Sequence, residues 1–162
     1  MSTLPVSTNY RGRKVDLLLF QTSDPYASGK VTLSFSDTPQ ICAGVQKVSQ
    51  IFITTFFTVL DSILADKKYG IDGFGEIGLT NVIPGQTQQV FELAVFDTLA
   101  VMKQEQDNLA LEGVKLPYDE ILTNVEIVDL SAVRDTVNLK IKLTTAAGTS
   151  RVIILPSPAA LR

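Results

Sequence analysis

The chain contains no histidine and no tryptophan, one cysteine and two methionines in 162 residues. Without histidine, the usual general base, the usual zinc ligand and every Ser-His or Cys-His nucleophile arrangement are missing. A single cysteine, Cys42, cannot form an internal disulfide, and a buried structural thiol is the expectation for it. Positive charge is scarce too: 14 Lys and Arg against 17 Asp and Glu leave a net charge of -3. That balance supplies no basic field to hold phosphate backbones, so nucleic acid is not an expected partner. Long apolar runs are also lacking. Val48 to Leu64, the most apolar stretch, is interrupted by Ser49, Gln50, Thr54, Thr55, Thr58, Asp61 and Ser62. It falls short of the roughly 20 apolar residues a membrane span needs, so it reads as a core or interface helix and no membrane partner is expected.

Carboxylates are the remaining chemical resource. A glycosidase pair such as Glu76 with Asp72, or Glu120 with Glu126, would need its two carboxyls roughly 5 to 9 Å apart with one in an apolar setting. Carboxylates in this number are expected to solvate the surface instead. Asp61, Asp66 and Asp72 do not match a calcium-loop spacing, so no metal is expected. Gly73, Phe74, Gly75, Glu76, Ile77 and Gly78 fit G-x-G-x-x-G. No strand precedes them and no helix starts at the last glycine, so a nucleotide is not expected and no cofactor is assigned. The chain reads as a non-enzyme.

With 45% hydrophobic residues there is material for one core. The expected organisation is a flexible lead-in at 1–10 and a single α+β domain at 11–162. Met1 to Tyr10 lacks the basic and apolar regions of a secretory leader, so the chain is expected to stay where it is made. Lys14 to Gln21 and Val31 to Ser36 read as an N-terminal β-hairpin around Asp24, Pro25 and Gly29. Ile41, Val45, Val48, Phe52 and Thr55 or Phe56 recur at helical spacing and predict a first helix, with a break possible near Thr54. Glycine and proline from Asp66 to Gly85 predict a long loop. Thr87 is the expected N-cap of a second helix from Gln88 to about Leu111, stopped at Gly113. Its polar run Lys103 to Asn108 reads as a solvated face.

The end of the chain, Asn124 to Leu155, predicts an antiparallel β-meander. Val137, Asn138, Leu139, Lys140, Ile141, Lys142 and Leu143 alternate apolar and polar without a fault, the period of a strand with one buried face. Val125 to Leu130 precedes this strand across the Asp129 to Asp135 link, and Arg151, Val152, Ile153, Ile154 and Leu155 follow it across a short turn. Pro156 and Pro158 are expected to stop the ladder. An edge strand here would present unpaired N–H and C=O groups to another chain, and Lys140 and Lys142 read either as edge protection or as a polar rim around such a site.

One family resemblance follows from the order of several short motifs. Ala43 to Gln50, with Gly44, Lys47 and Gln50 at three-residue spacing, precedes a Thr-rich helix end, Asp61-Ser62 and then Tyr69-Gly70. This order, with a long helix and a final meander ending in Pro, resembles the contractile-tail sheath initiator family of tailed phages, also labelled lysozyme-like baseplate wedge proteins. The resemblance covers Ile41 to Pro156. Asp61 stands where the family carries Gly, Leu116 to Ile121 supplies Pro117 and acids but no Arg at the family's Glu-Pro-Arg turn, and the Lys14 to Ser36 hairpin is additional. The resemblance implies a structural virion protein of the tail baseplate, assembled in the host cytoplasm, with about six copies in a closed ring around the tail tube. It implies tail sheath, tail tube and baseplate wedge proteins as partners, and sheath assembly started by β-strand addition at Val137 to Leu143 and Arg151 to Leu155. Gly44, Lys47, Gln50, Ser62, Tyr69 and Gly70 are the family-motif positions. The alternatives are a peptidoglycan-degrading muramidase-like enzyme or another non-catalytic tail adaptor.

Overall fold

The computed structural model describes residues 14–22, 29–33, 41–63, 69–71, 86–133 and 136–158. The lead-in at 1–10 and the glycine motif at 73–78 lie outside them. Strands β1 (Asp16–Leu17), β2 (Phe20–Thr22), β3 (Gly29–Leu33) and β4 (Ile41–Cys42) come first, then helix α1 (Val45–Phe57) and helix α2 (Gln86–Leu111). A 3₁₀ turn at Tyr118–Glu120 leads into β5 (Leu122–Val133), β6 (Thr136–Thr145) and β7 (Ser150–Pro158). Among the described residues the architecture is α+β, a single domain with two helices, an N-terminal hairpin and the expected meander. Five strands form one sheet in the order β2-β3-β7-β6-β5, and β1 pairs with β4 apart from it.

One face of the large sheet carries the core. Val137, Leu139, Ile141 and Leu143 of β6 are buried together with Leu122 and Val125 of β5 and Ile153 and Leu155 of β7. α2 lies over β5 and α1 over β6 and β7, with the helices touching each other. α1 contributes Val48, Phe52, Ile53 and Phe56, whose spacing places them on one face, and the Phe52 and Phe56 rings stack with centroids 5.9 Å apart. α2 contributes Phe91, Ala94, Val95, Thr98 and Met102, the Thr98 hydroxyl donating to the Ala94 carbonyl at 2.7 Å. The neighbouring apolar residues Leu93 and Phe96 are exposed, so part of the apolar surface of this helix lies outside the core.

Several sequence expectations are corrected. The first arm of the hairpin is split: β2 pairs antiparallel with β3, whereas Asp16 and Leu17 pair with Cys42 and Ile41. Ile41 is therefore strand despite its helical spacing, and α1 begins at Val45 after Gly44, whose φ of 62° and ψ of -146° suit glycine alone. α1 ends at Phe57 rather than near Leu64 or Thr54. It is core along much of its length, with Val48, Ser49, Gln50, Phe52, Ile53, Thr55 and Phe56 buried, which leaves little of it to dock a neighbour. α2 begins at Gln86, so Thr87 lies inside the helix rather than capping it. Its polar run stays helical because the end is sealed at Gly113: φ there is 80°, Gly113 N–H donates to Ala110 C=O at 3.0 Å and Val114 N–H to Leu109 C=O at 2.9 Å. This is the paired bonding of a Schellman motif.

The meander is antiparallel as expected, but β5 runs to Val133 and β6 starts at Thr136, so the link between them is shorter than 129–135. The prolines do not stop the ladder either. Pro156 stands opposite Asn138 and Pro158 opposite Thr136. Two residues apart, both occupy the non-hydrogen-bonded positions of an antiparallel pair, where no N–H is required. The far side of β7 is taken by β3, paired in parallel at Gly29↔Ile153 and Lys30↔Ile154.

Candidate interaction surface

The central position of β6 decides where a partner strand can be added. Each side of β6 is already paired, with β5 and with β7, so Val137, Asn138, Leu139, Lys140, Ile141, Lys142 and Leu143 are not a free edge. β7 has β6 on one side and β3 on the other at Ile153 and Ile154, and Ile153 and Leu155 are core. Arg151 stands opposite Leu143 on the helix-covered face, where desolvation pushes its guanidinium pKa down. Val152 and Ile154 are half-buried, on the face that carries Lys142 and Lys140. The strands named from the sequence are thus the middle of the sheet. Among the described residues, the long strand with an unpaired side is β5, 12 residues paired to β6 alone.

β5 is irregular. Its register against β6 shifts between Leu122 and Asn124 and again between Ile127 and Asp129, leaving Thr123 and Val128 as bulge residues. The Thr123 hydroxyl donates to Thr144 C=O at 3.0 Å, and Val128 is 48% exposed. Glu126 faces Lys142 across the ladder and Asp129 faces Lys140, so each lysine has an acidic cross-strand neighbour. The sheet face away from the helices therefore carries opposite charges in adjacent strands, while β5 holds the outer edge.

The family-motif positions form a different structure, a latch that ties three chain segments to the start of α1. Lys47 Nζ lies 2.9 Å from Glu120 Oε2 and donates to the Lys14 carbonyl at 2.9 Å. The Gly44 N–H donates to the other oxygen of Glu120 at 3.3 Å. Gln50 does the work of a backbone amide. Its Nε2 donates to Leu17 C=O at 2.7 Å and its Oε1 accepts from Leu19 N–H at 2.7 Å, as a neighbouring strand would. Cys42, fully buried, packs its sulfur 4.0 Å from Gln50 Oε1, and burial, the largest cause, with the charge of Asp16 pushes its thiol up to about 11. The expectation of a buried structural thiol is met. Beside the latch a pocket of about 280 Å³ opens between the helices, walled by Val48, Ile51, Met102 and Leu109 with Lys47 and Glu120 on its lining.

Tyr69, Gly70 and Ser62 belong to a second fastening. The Tyr69 hydroxyl is 2.8 Å from Thr55 Oγ1, and Gly70, at φ 103°, lets Ile71 N–H reach Thr58 C=O at 2.9 Å. Leu60 N–H donates to Ile71 C=O, and Val59 bridges Ile71. Ser62 is exposed, its N–H donating to Val59 C=O after Asp61, whose φ of 64° is one that Asp tolerates better than most residues. The motif residues therefore hold the fold at two places and do not converge on one surface. Glu120 was missed as the partner of Lys47 because the two are 73 positions apart. The signal for β5 as the edge was its broken alternation.

Replacing Gln50 with alanine will leave Leu17 C=O and Leu19 N–H without that partner, at a cost of about 2 kcal/mol. The Leu19 amide will exchange with solvent markedly faster, while amides of β6 keep their order of protection. An unchanged Leu19 exchange rate would show that the side-chain amide is not holding the strap.

Comparison with protein-family models, with characterised proteins and with solved structures returned no match.

Proposed function

We propose that this protein is a non-catalytic structural component of a contractile-tail baseplate, and that it starts sheath assembly by taking a strand from a sheath subunit onto its own sheet. The observation that carries the proposal is β5, a long strand paired on one side only among the described residues, at the rim of a sheet with one face covered by two helices. An edge of this kind supplies main-chain hydrogen bonds as affinity and alternating side-chain positions as specificity. The order of motifs from Ile41 to Pro156 names the partner class, and the tube and wedge proteins would meet other faces of the same domain. The receiving strand in this reading is β5, since β6 is closed on both sides.

The test is a proline at the bulge. Val128→Pro puts a rigid ring without an N–H into the edge strand at a residue with no register partner in β6, so the domain is expected to keep its far-ultraviolet dichroism. Baseplates carrying this variant should nucleate sheath poorly, giving tails with short sheaths or none. Sheaths of normal length and yield on a folded variant would overturn the proposal.

A further inference from the structure

The chemistry of the added strand can be read from the charges on β5. Glu126 and Asp129 are its charged residues, both acidic and both exposed, and the strand contains no Lys or Arg. Three positions apart, they would point to opposite faces of a regular strand. The bulge at Val128 changes this. Glu126 aligns with Lys142 and Asp129 with Lys140, which are themselves two apart and so share a face. The irregularity therefore gathers both carboxylates on the side of the sheet away from the helices. Their inner neighbours are lysines, and their outer neighbour positions lie along the unpaired side of β5.

The other face of β5 is also unfinished. Ile127 stands opposite Ile141 and Leu130 opposite Leu139, and these β6 partners are fully buried. Ile127 and Leu130 themselves are only partly buried, packed against the margin of the core. One more strand beside them would complete their burial.

We infer that the strand received by β5 is amphipathic and cationic, with Lys or Arg on the face that meets Glu126 and Asp129 and apolar residues on the face that meets Ile127 and Leu130. This inference rests on the strand-addition reading above and specifies its partner. A second copy of this chain does not fit, because antiparallel pairing of β5 with itself about its midpoint sets Glu126 against Asp129 twice, and like charges directly opposite destabilise a ladder.

The experiment uses the full chain, isotope-labelled, with two blocked eight-residue peptides as probes: one alternating lysine with valine, the other alternating glutamate with valine. Amide shifts and exchange protection locate any binding. The lysine peptide should protect amides within residues 124–131 and bind roughly tenfold more tightly than the glutamate peptide at low salt, an advantage reduced by salt. In the variant carrying Glu126→Gln and Asp129→Asn the preference should vanish while the lysine peptide still maps to β5. Equal binding of both peptides on β5 would overturn the cationic partner and leave the edge reading standing. Failure of both to protect β5 would overturn the two together. Protection of β5 by self-association without peptide would assign the edge to a second copy and overturn the inference.

Discussion

Replacing Glu120 with alanine will remove about 3 kcal/mol of folding stability, a large part of what a domain of this size possesses. The side chain of Glu120 is 4% exposed and that of Lys47 is 15% exposed, and the two meet at 2.9 Å. Removing the carboxylate strands an ammonium in a setting where its remaining fixed partner is the Lys14 carbonyl, and it also takes the acceptor from the Gly44 N–H. Loss of one member of a buried pair costs about 3–5 kcal/mol because the other charge stays uncompensated. The lower end applies because Lys47 lines a pocket of about 280 Å³, which can admit water to the orphaned group. The paired change Lys47→Met with Glu120→Leu should return most of the loss, since desolvation of both charges offsets much of their attraction. Urea unfolding of the two variants, compared at constant slope, measures this. A loss below about 1 kcal/mol for the single variant would mean that the pair is solvated and holds nothing.

The sequence made the middle of the sheet legible and hid its borders. Val137 to Leu143 alternates faultlessly because β6 has ladder partners on each side and one face on the helices, so nothing disturbs its pleat. That regularity marks an interior strand rather than an available one. β5 breaks its alternation at Val125, Ile127, Val128 and Leu130, and the break is a bulge of the kind concentrated at sheet edges. Pairings between distant segments left no local trace. The parallel contact of β3 with β7 joins Gly29 to Ile153, and the Lys47 to Glu120 pair spans 73 positions. Ile41 misled for a different reason: with so short a strand, its spacing to Val45 and Val48 resembles a helical stripe, and only its pairing with Leu17 makes it β. The glycine after α2 was legible because Gly113 and its two bonds satisfy a requirement local to the helix end. Among the candidate site residues, Gly44, Lys47, Gln50, Tyr69 and Gly70 were found as a pattern, but what they do required knowing which distant segments they touch.

Gly70→Ala will show how tightly the second of those fastenings is drawn. Two costs coincide at this position. Its φ of 103° lies where a residue with a Cβ is strained, and a Cβ there would sit 2.5 Å from the carbonyl oxygen of Thr58. That oxygen cannot simply retreat, because it accepts the Ile71 N–H at 2.9 Å and the adjacent Leu60 N–H is bound to Ile71 C=O. Strain of about 1–3 kcal/mol from the backbone angle is therefore joined by loss of at least one of these bonds, for about 3 kcal/mol in all. Gly113→Ala is the control. Its φ is 80° and nothing lies within 4 Å of an added Cβ, so it carries the conformational cost alone, about 1 kcal/mol. The difference between the two variants in urea unfolding isolates the collision at Thr58, and the Ile71 and Leu60 amides should exchange faster in the first variant only. Equal losses would mean that the 58–71 closure yields without resistance. In that case Tyr69 and Gly70 would not fasten the end of α1, and their place beside the exposed Phe57, Val59, Leu60 and Ile63 would have to be explained by contact with another molecule.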